Sequence, residues 1–278
     1  MPEAPQMQAL AERVAAVANG RVLERIQPMQ FAALKTFDPD PLSLRGRTLH
    51  GVGRRGKYLV MDFGDGIRVL VHLSQGGRVD IEDTPKTTKG KQNVVRFVFE
   101  GGPAVLIKEW GHERKAGWWV LGADDDGPLA GLGPEATSAE FARLIRTSDD
   151  RRRVHTILRD QHTVAGIGRG YTDDSLHRAR LSPYASLASL APEQRDHLLT
   201  AIHDVLGDGL ERERRRTGGL PNKLGDGWIV HNAHGQPCPE CATTLQRVSY
   251  ESYEVTYCPM CQTDGKVLAD RRLSRLLK

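Results

Sequence analysis

The chain has 278 residues, 39% of them hydrophobic and 27% charged, with a formal net charge of +4. That length supports two domains with cores of their own, and the composition excludes a disordered or low-complexity chain. Neither a signal peptide nor an apolar run of roughly 20 residues is present, so a cytoplasmic location without a membrane partner is expected.

In chain order, residues 4–18 are predicted helical, because Met7, Leu10, Val14 and Val17 recur at spacings of three and four and Gly20 closes the stretch. The period then shortens. Residues 58–63 and 67–72 flank Gly64-Asp65-Gly66, and residues 94–99 and 104–108 flank Glu100-Gly101-Gly102-Pro103. Each pair reads as a hairpin, and short strands at this spacing predict a β-sandwich or barrel. Residues 124–133 (DDDGPLAGLG) read as a linker. Helical text follows. Thr137-Ser138-Ala139-Glu140 has the pattern of a capping box ahead of Phe141, Leu144 and Ile145. Further helices are expected around 151–159, 173–179 and 192–216. Residues 164–170 (VAGIGRG) are too glycine-rich for a helix interior and predict a turn between helices, a natural seat for a phosphate. Residues 218–232 read as a mobile loop.

All four cysteines follow, as Cys238-Pro-Glu-Cys241 and Cys258-Pro-Met-Cys261, with sixteen residues between the pairs. Two such turns facing each other give the tetrahedral sulfur set that Zn2+ prefers, so one structural zinc is expected, with no open position for chemistry. Two disulfides are the alternative pairing of the same residues. Basic clusters at Arg54-Arg55-Gly56-Lys57, Arg151-Arg152-Arg153, 212–216 and 266–278 suit a phosphate backbone. Each cluster taken alone also reads as a solvated face.

The order of these pieces resembles the formamidopyrimidine-DNA glycosylase/endonuclease VIII family of base-excision repair enzymes. The resemblance rests on the start Pro2-Glu3-Ala4-Pro5, the hairpin GRRGKYLVMDF (53–63), and His72-Leu73 followed by Gly77-Arg78. It continues through Gly166-Ile167-Gly168-Arg169-Gly170-Tyr171, Arg178 to Pro183, and the cysteine element with its trailing Gln262. It implies an α+β fold. An N-terminal helix and β-sandwich domain would span 1–123, a linker 124–133, a helix–two-turn–helix domain 134–225, and a zinc-ribbon finger with a β-hairpin 226–278. It implies a monomer of the bacterial cytoplasm or nucleoid whose partner is damaged DNA. Removal of Met1 would leave Pro2 as an N-terminal amine nucleophile, with Glu3 as the adjacent general acid/base and Lys57 on the DNA backbone beside the lesion. Arg54, Arg55, Gln75, Arg114, Arg169 and Tyr253 fall at DNA-contacting positions. The implied activity is removal of a damaged base followed by cleavage of the abasic strand through a Schiff base. The alternative is a non-catalytic or lyase-only damage-binding protein on the same scaffold. Pro2-Glu3 alone is also an ordinary helix start.

The chain departs from the family pattern where DNA is touched. Arg169 and Gly170 stand where the family turn usually has Asn and Ile. Tyr253, flanked by Glu251 and Glu254, stands where the hairpin carries an arginine, so the local sequence there offers no cation. Gln75 replaces a Met and Ala116 a frequent Phe, which leaves a poor apolar wedge beside Arg114 that Trp110, Trp118 or Trp119 would have to supplement. Gln6 replaces an acid, and His112-Glu113 is an unusual insert without an assigned role.

Overall fold

The computed structural model describes residues 1–87, 90–220, 227–250 and 253–269. It divides into two compact units, residues 1–131 with 210–224 and residues 132–209 with 225–278.

In the first unit helix α1 (Ala4–Ala18) precedes eight strands: β1 (Leu23–Pro28), β2 (Gly51–Arg55), β3 (Tyr58–Asp62), β4 (Arg68–His72), β5 (Gly77–Glu82), β6 (Asn93–Phe99), β7 (Ala104–Glu109) and β8 (Gly117–Leu121). They form two antiparallel four-stranded sheets, ordered β1-β6-β7-β5 and β2-β3-β4-β8. Phe97 and Val105 from one sheet pack with Leu59, Val71 and Trp118 from the other in a single core, to which α1 adds Met7, Leu10 and Val14. Alternating apolar residues of both sheets thus bury one face each, which makes a sandwich. The expected helix and the two expected hairpins are present. β1, β5 and β8 were not anticipated, and β2 entered only through the family resemblance, as the first strand of the hairpin at 53–63; in β1 and β5 the periodicity is broken by charged residues such as Arg25 and Asp80. Some of that charge is buried in pairs: Arg96 Nε lies 2.9 Å from Glu82 inside the sheet. The first unit is completed by Leu220, whose N–H bonds the Val79 carbonyl at 2.7 Å.

The second unit contains α2 (Ala139–Thr147), α3 (Val154–Arg159), α4 (Arg169–Arg178), most of α5 (Pro192–Arg214), the hairpin β9 (Gln246–Tyr250) and β10 (Tyr253–Tyr257), and the short α6 (Pro259–Thr263). Ser138 caps α2, accepting the Phe141 N–H at 3.2 Å, so the cap lies one residue after the expected Thr137. The glycine segment is corrected more substantially. α4 begins at Arg169 and so includes Gly170. A Cβ at Gly170 would lie 2.4 Å from the Trp228 ring, so the glycine is there to admit the indole. The turn between α3 and α4 is held by Gln161, whose amide donates to the Ile167 carbonyl at 2.7 Å and accepts the Gly166 N–H at 3.0 Å. Of the expected loop at 218–232, residues 221–226 lie outside the described residues, as do Glu251 and the basic tail from 270 onward.

Candidate functional site

The start of the first unit brings three expected residues into its interior. Pro2 is buried behind an exposed Met1, and Glu3 and Lys57 are only 5% and 8% exposed. Glu3 is the N-cap of α1, and its N–H donates to Gln6 Oε1 at 3.0 Å. Gln6 therefore completes the reciprocal cap that an acid would also complete, and the substitution costs the helix no bond. Lys57 sits in the two-residue turn between β2 and β3, next to Tyr58, which pairs with His72 across the sheet. Their rings are 4.7 Å apart. Burial, then the charges of Lys57 and of the chain terminus, depress His72 to a pKa of about 4. Terminal amine, lysine and a neutral imidazole thus share one electrostatic environment. His72 was visible only as part of a motif, with no role of its own.

The remaining expected residues of this unit are on its surface. Arg54 and Arg55 line an open groove of about 520 Å³ that also includes Arg68. Gln75 is exposed on a turn whose Ser74 has a φ of 49°. Arg114 is exposed on the loop between β7 and β8. The two loops touch: Trp110 N–H bonds the Gly76 carbonyl at 2.9 Å, and a Cβ at Gly76 would fall 1.9 Å from Glu109. Glu109 is buried and clamps the Arg114 loop at both ends, accepting N–H bonds from Gly111 at 2.6 Å and Ala116 at 2.8 Å. Ala116 is buried at 2% exposure, so it presents no wedge. Of the three tryptophans considered, Trp118 is core, Trp119 packs on Tyr58, and only Trp110 is open, at 50% exposure.

In the second unit the four cysteines are free thiols whose sulfur atoms all lie within 4.8 Å of one another. Among the separations are 3.4 Å (Cys241–Cys258), 3.5 Å (Cys241–Cys261) and 3.9 Å (Cys238–Cys261). A tetrahedral Zn2+ with bonds of about 2.3 Å sets its sulfurs roughly 3.8 Å apart, so the quartet fits one metal ion and not two separate disulfides. The element is fastened to α4 by buried polar groups. Asp174 accepts the N–H groups of Ile229, Val230 and His231 at 2.9, 2.9 and 3.1 Å, and Asp173 takes Thr256 N–H at 3.3 Å and His231 Nδ1 at 2.7 Å. Gln262 bridges the Cys258 N–H (2.9 Å) and the Leu181 carbonyl (2.7 Å), while His177 Nε2 lies 3.3 Å from Cys238 Sγ.

Tyr253 opens β10 and faces Tyr250 across the hairpin. The absence of a local cation in sequence is corrected in space. The Arg159 guanidinium lies 3.4 Å above the Tyr253 ring and that of Arg169 lies 6.0 Å from it.

The residues at 1–119 match the model of the formamidopyrimidine-DNA glycosylase N-terminal domain, and those at 132–218 match that of the H2TH domain of the same enzyme. The chain belongs to the formamidopyrimidine-DNA glycosylase family. That membership sets it among DNA glycosylases of repair. A relative from Thiobacillus denitrificans named formamidopyrimidine-DNA glycosylase is 31% identical over 274 residues, covering 94% of this chain and all of that protein. A formamidopyrimidine-DNA glycosylase-like protein of Mycobacterium tuberculosis, described as uncharacterized, is 39% identical over 155 residues, covering 53% of this chain and 94% of its own. The fold agrees with that of the Lactococcus lactis enzyme solved non-covalently bound to DNA containing an AP site, at a TM-score of 0.82 and 22% identity over 94% of this chain and 99% of that one.

Proposed function

We propose that this family member is a bifunctional DNA glycosylase and AP lyase that works through the N-terminal proline, on damaged DNA. The observation that carries the reading is the burial of Pro2, Glu3 and Lys57 in the first unit, with a neutral His72 responding to the charges of both the terminus and Lys57.

With Met1 removed, Pro2 presents a secondary amine. An α-amino group titrates at roughly 7.7–8.0, so the unprotonated nucleophile is populated at neutral pH. The amine attacks the sugar C1′ and the base departs with the bonding pair. The ring oxygen O4′ takes a proton as the sugar opens to an iminium ion, and Glu3 is the group placed by sequence to deliver it. The iminium draws electrons from the C1′–C2′ region, the 2′ proton leaves, and the 3′ phosphate is expelled by β-elimination. Lys57, Arg54 and Arg55 in the first unit and Arg169 and Tyr253 in the second hold the DNA backbone, and Gln75 and Arg114 face the position of the extruded base. The cysteine quartet holds one Zn2+, which supplies structure to the hairpin and takes no part in the reaction.

The test is borohydride trapping with duplex DNA carrying an abasic site. A covalent protein–DNA complex is expected from the wild type, and Pro2→Gly abolishes it. Absence of any trapped species would remove the lyase chemistry. It would leave the second reading, a damage-binding protein, which the replacement of wedge residues by Gln75 and the buried Ala116 favours.

A further inference from the structure

The cysteine quartet combines two buried sulfurs with two accessible ones. Cys238 and Cys258 are 3% and 0% exposed, whereas Cys241 is exposed and Cys261 partly so. Four thiolates around one Zn2+ carry a formal charge of −2, four negative sulfurs less the two positive charges of the ion. Water solvates that charge at the accessible pair. At the buried pair the protein has to supply the hydrogen-bond donors, because a charge left in an apolar interior without them is costly. For Cys258 the donor is backbone: the Cys261 N–H reaches its sulfur at 3.4 Å. For Cys238 it is a side chain 61 residues earlier in the chain, that of His177, whose Nε2 lies 3.3 Å from Sγ. His177 is itself 3% exposed and sits in the last turn of α4.

A metal-bound thiolate carries no hydrogen and can only accept. The hydrogen of this contact therefore sits on Nε2. That holds for the neutral ring and for the imidazolium alike, so the bond does not depend on titration of the ring. The ring is not a further ligand: among the described residues, the ligand atoms that lie close enough together to share one ion are those of the four cysteines. A donor aimed at a thiolate draws charge off the sulfur, which stabilises the complex where water cannot. Because α4 also holds residues 229–231 through Asp174, the ring ties the first cysteine to the same helix at a second point.

We propose that His177 is a positioning residue of the metal centre: its Nε2–H holds the Cys238 thiolate, sets how tightly the ion is retained, and registers the cysteine element on α4. The inference rests on the structural-zinc reading above and is independent of the lyase reaction. Partners that hydrogen-bond metal ligands typically contribute about 10–100-fold in metal affinity.

The test uses the full-length protein loaded with Zn2+, or with Co2+ as a coloured replacement. Affinity is read by competition with a chromophoric chelator, and sulfur donation by the sulfur-to-Co2+ charge-transfer bands. His177→Leu removes the donor at similar bulk. It is expected to bind Zn2+ about 10–100-fold more weakly and to move the charge-transfer bands to longer wavelength, since a sulfur without its donor gives up electrons more readily. His177→Gln, whose amide donates from a similar reach, should recover most of both. Unchanged affinity and bands in His177→Leu would overturn the proposal and leave His177 as packing, even if the melting temperature falls. Charge-transfer intensity matching three thiolates in the wild type would overturn it as well, by making the ring a ligand. Should His177→Leu fail to fold, the wild type decides. In Cd2+-loaded protein with isotope-labelled histidine, the ring-nitrogen shifts should place the hydrogen on Nε2, and a bare Nε2 would refute the bond. A wild type that binds neither Zn2+ nor Co2+ would remove the zinc reading and this proposal with it, whereas the other outcomes leave a bound metal in place.

Discussion

Trp110 is half exposed beside a loop whose two ends are tied to the buried Glu109 carboxylate, and its backbone is bonded to the loop that carries Gln75. An exposed indole costs apolar hydration, and here no core packing demands it. Stacking of an aromatic side chain on a base contributes about 1–3 kcal/mol. Trp110 is therefore the group in this region able to offset the cost of unstacking a base pair, where Gln75 and Ala116 cannot. Trp110→Ala should weaken binding to the abasic-analogue duplex about tenfold or more relative to undamaged duplex, with the melting temperature unchanged. Trp110→Phe should retain most of the preference. Equal discrimination by Trp110→Ala and wild type would leave Trp110 as an ordinary surface residue.

At the scale of elements, α4 shows why some of this molecule was legible in the sequence and some was not. α1, the two hairpins and the cysteine quartet depend on residues within a turn or two of one another or on a fixed spacing, and sequence reading found them. α4 depends on partners far along the chain. Gly170 looks like a helix breaker until Trp228 is set against it, and Asp173 and Asp174 look like a solvated face until the backbone at 229–231 and Thr256 is brought to them. The contact of Arg159 with Tyr253 was invisible for the same reason, since the ring lies in the hairpin. Of the candidate site, Pro2, Glu3 and Lys57 were found through the motif series, while His72, His177 and Glu109 carry no local signature of their roles. The close approach at Gly170 gives a direct check. Gly170→Ala gains helix propensity of up to about 1 kcal/mol but drives a methyl into the Trp228 ring, an overpacking cost of about 1–3 kcal/mol or more. The substitution should lower stability in denaturant titration and blue- or red-shift the Trp228 emission. A stabilised Gly170→Ala protein would show that the indole moves aside freely.

Across the whole molecule, histidines whose charge burial disfavours and carboxylates whose charge burial disfavours pull the pH response in opposite directions. His72 in the first unit and His155 in the second both titrate near 4 when folded, against about 6.5 in an unfolded chain. Between those values the unfolded state binds more protons, so these groups stabilise the fold fully above 6.5 and lose that contribution as pH falls toward 4. Asp173 acts in the opposite sense. Burial raises it to about 6, so from about 4 to 6 the folded state holds a proton the unfolded state has lost. Burial also lowers His177 and raises Asp174, so three imidazoles stand against two carboxylates, and a net uptake of about one proton on unfolding corresponds to about 1.4 kcal/mol per pH unit. The melting temperature should therefore fall steadily from pH 7 to pH 5. His155→Gln should flatten the fall, since it removes one imidazole that takes up a proton on unfolding. A melting temperature that holds level or rises over this range in the wild type would mean that the buried carboxylates outweigh the imidazoles.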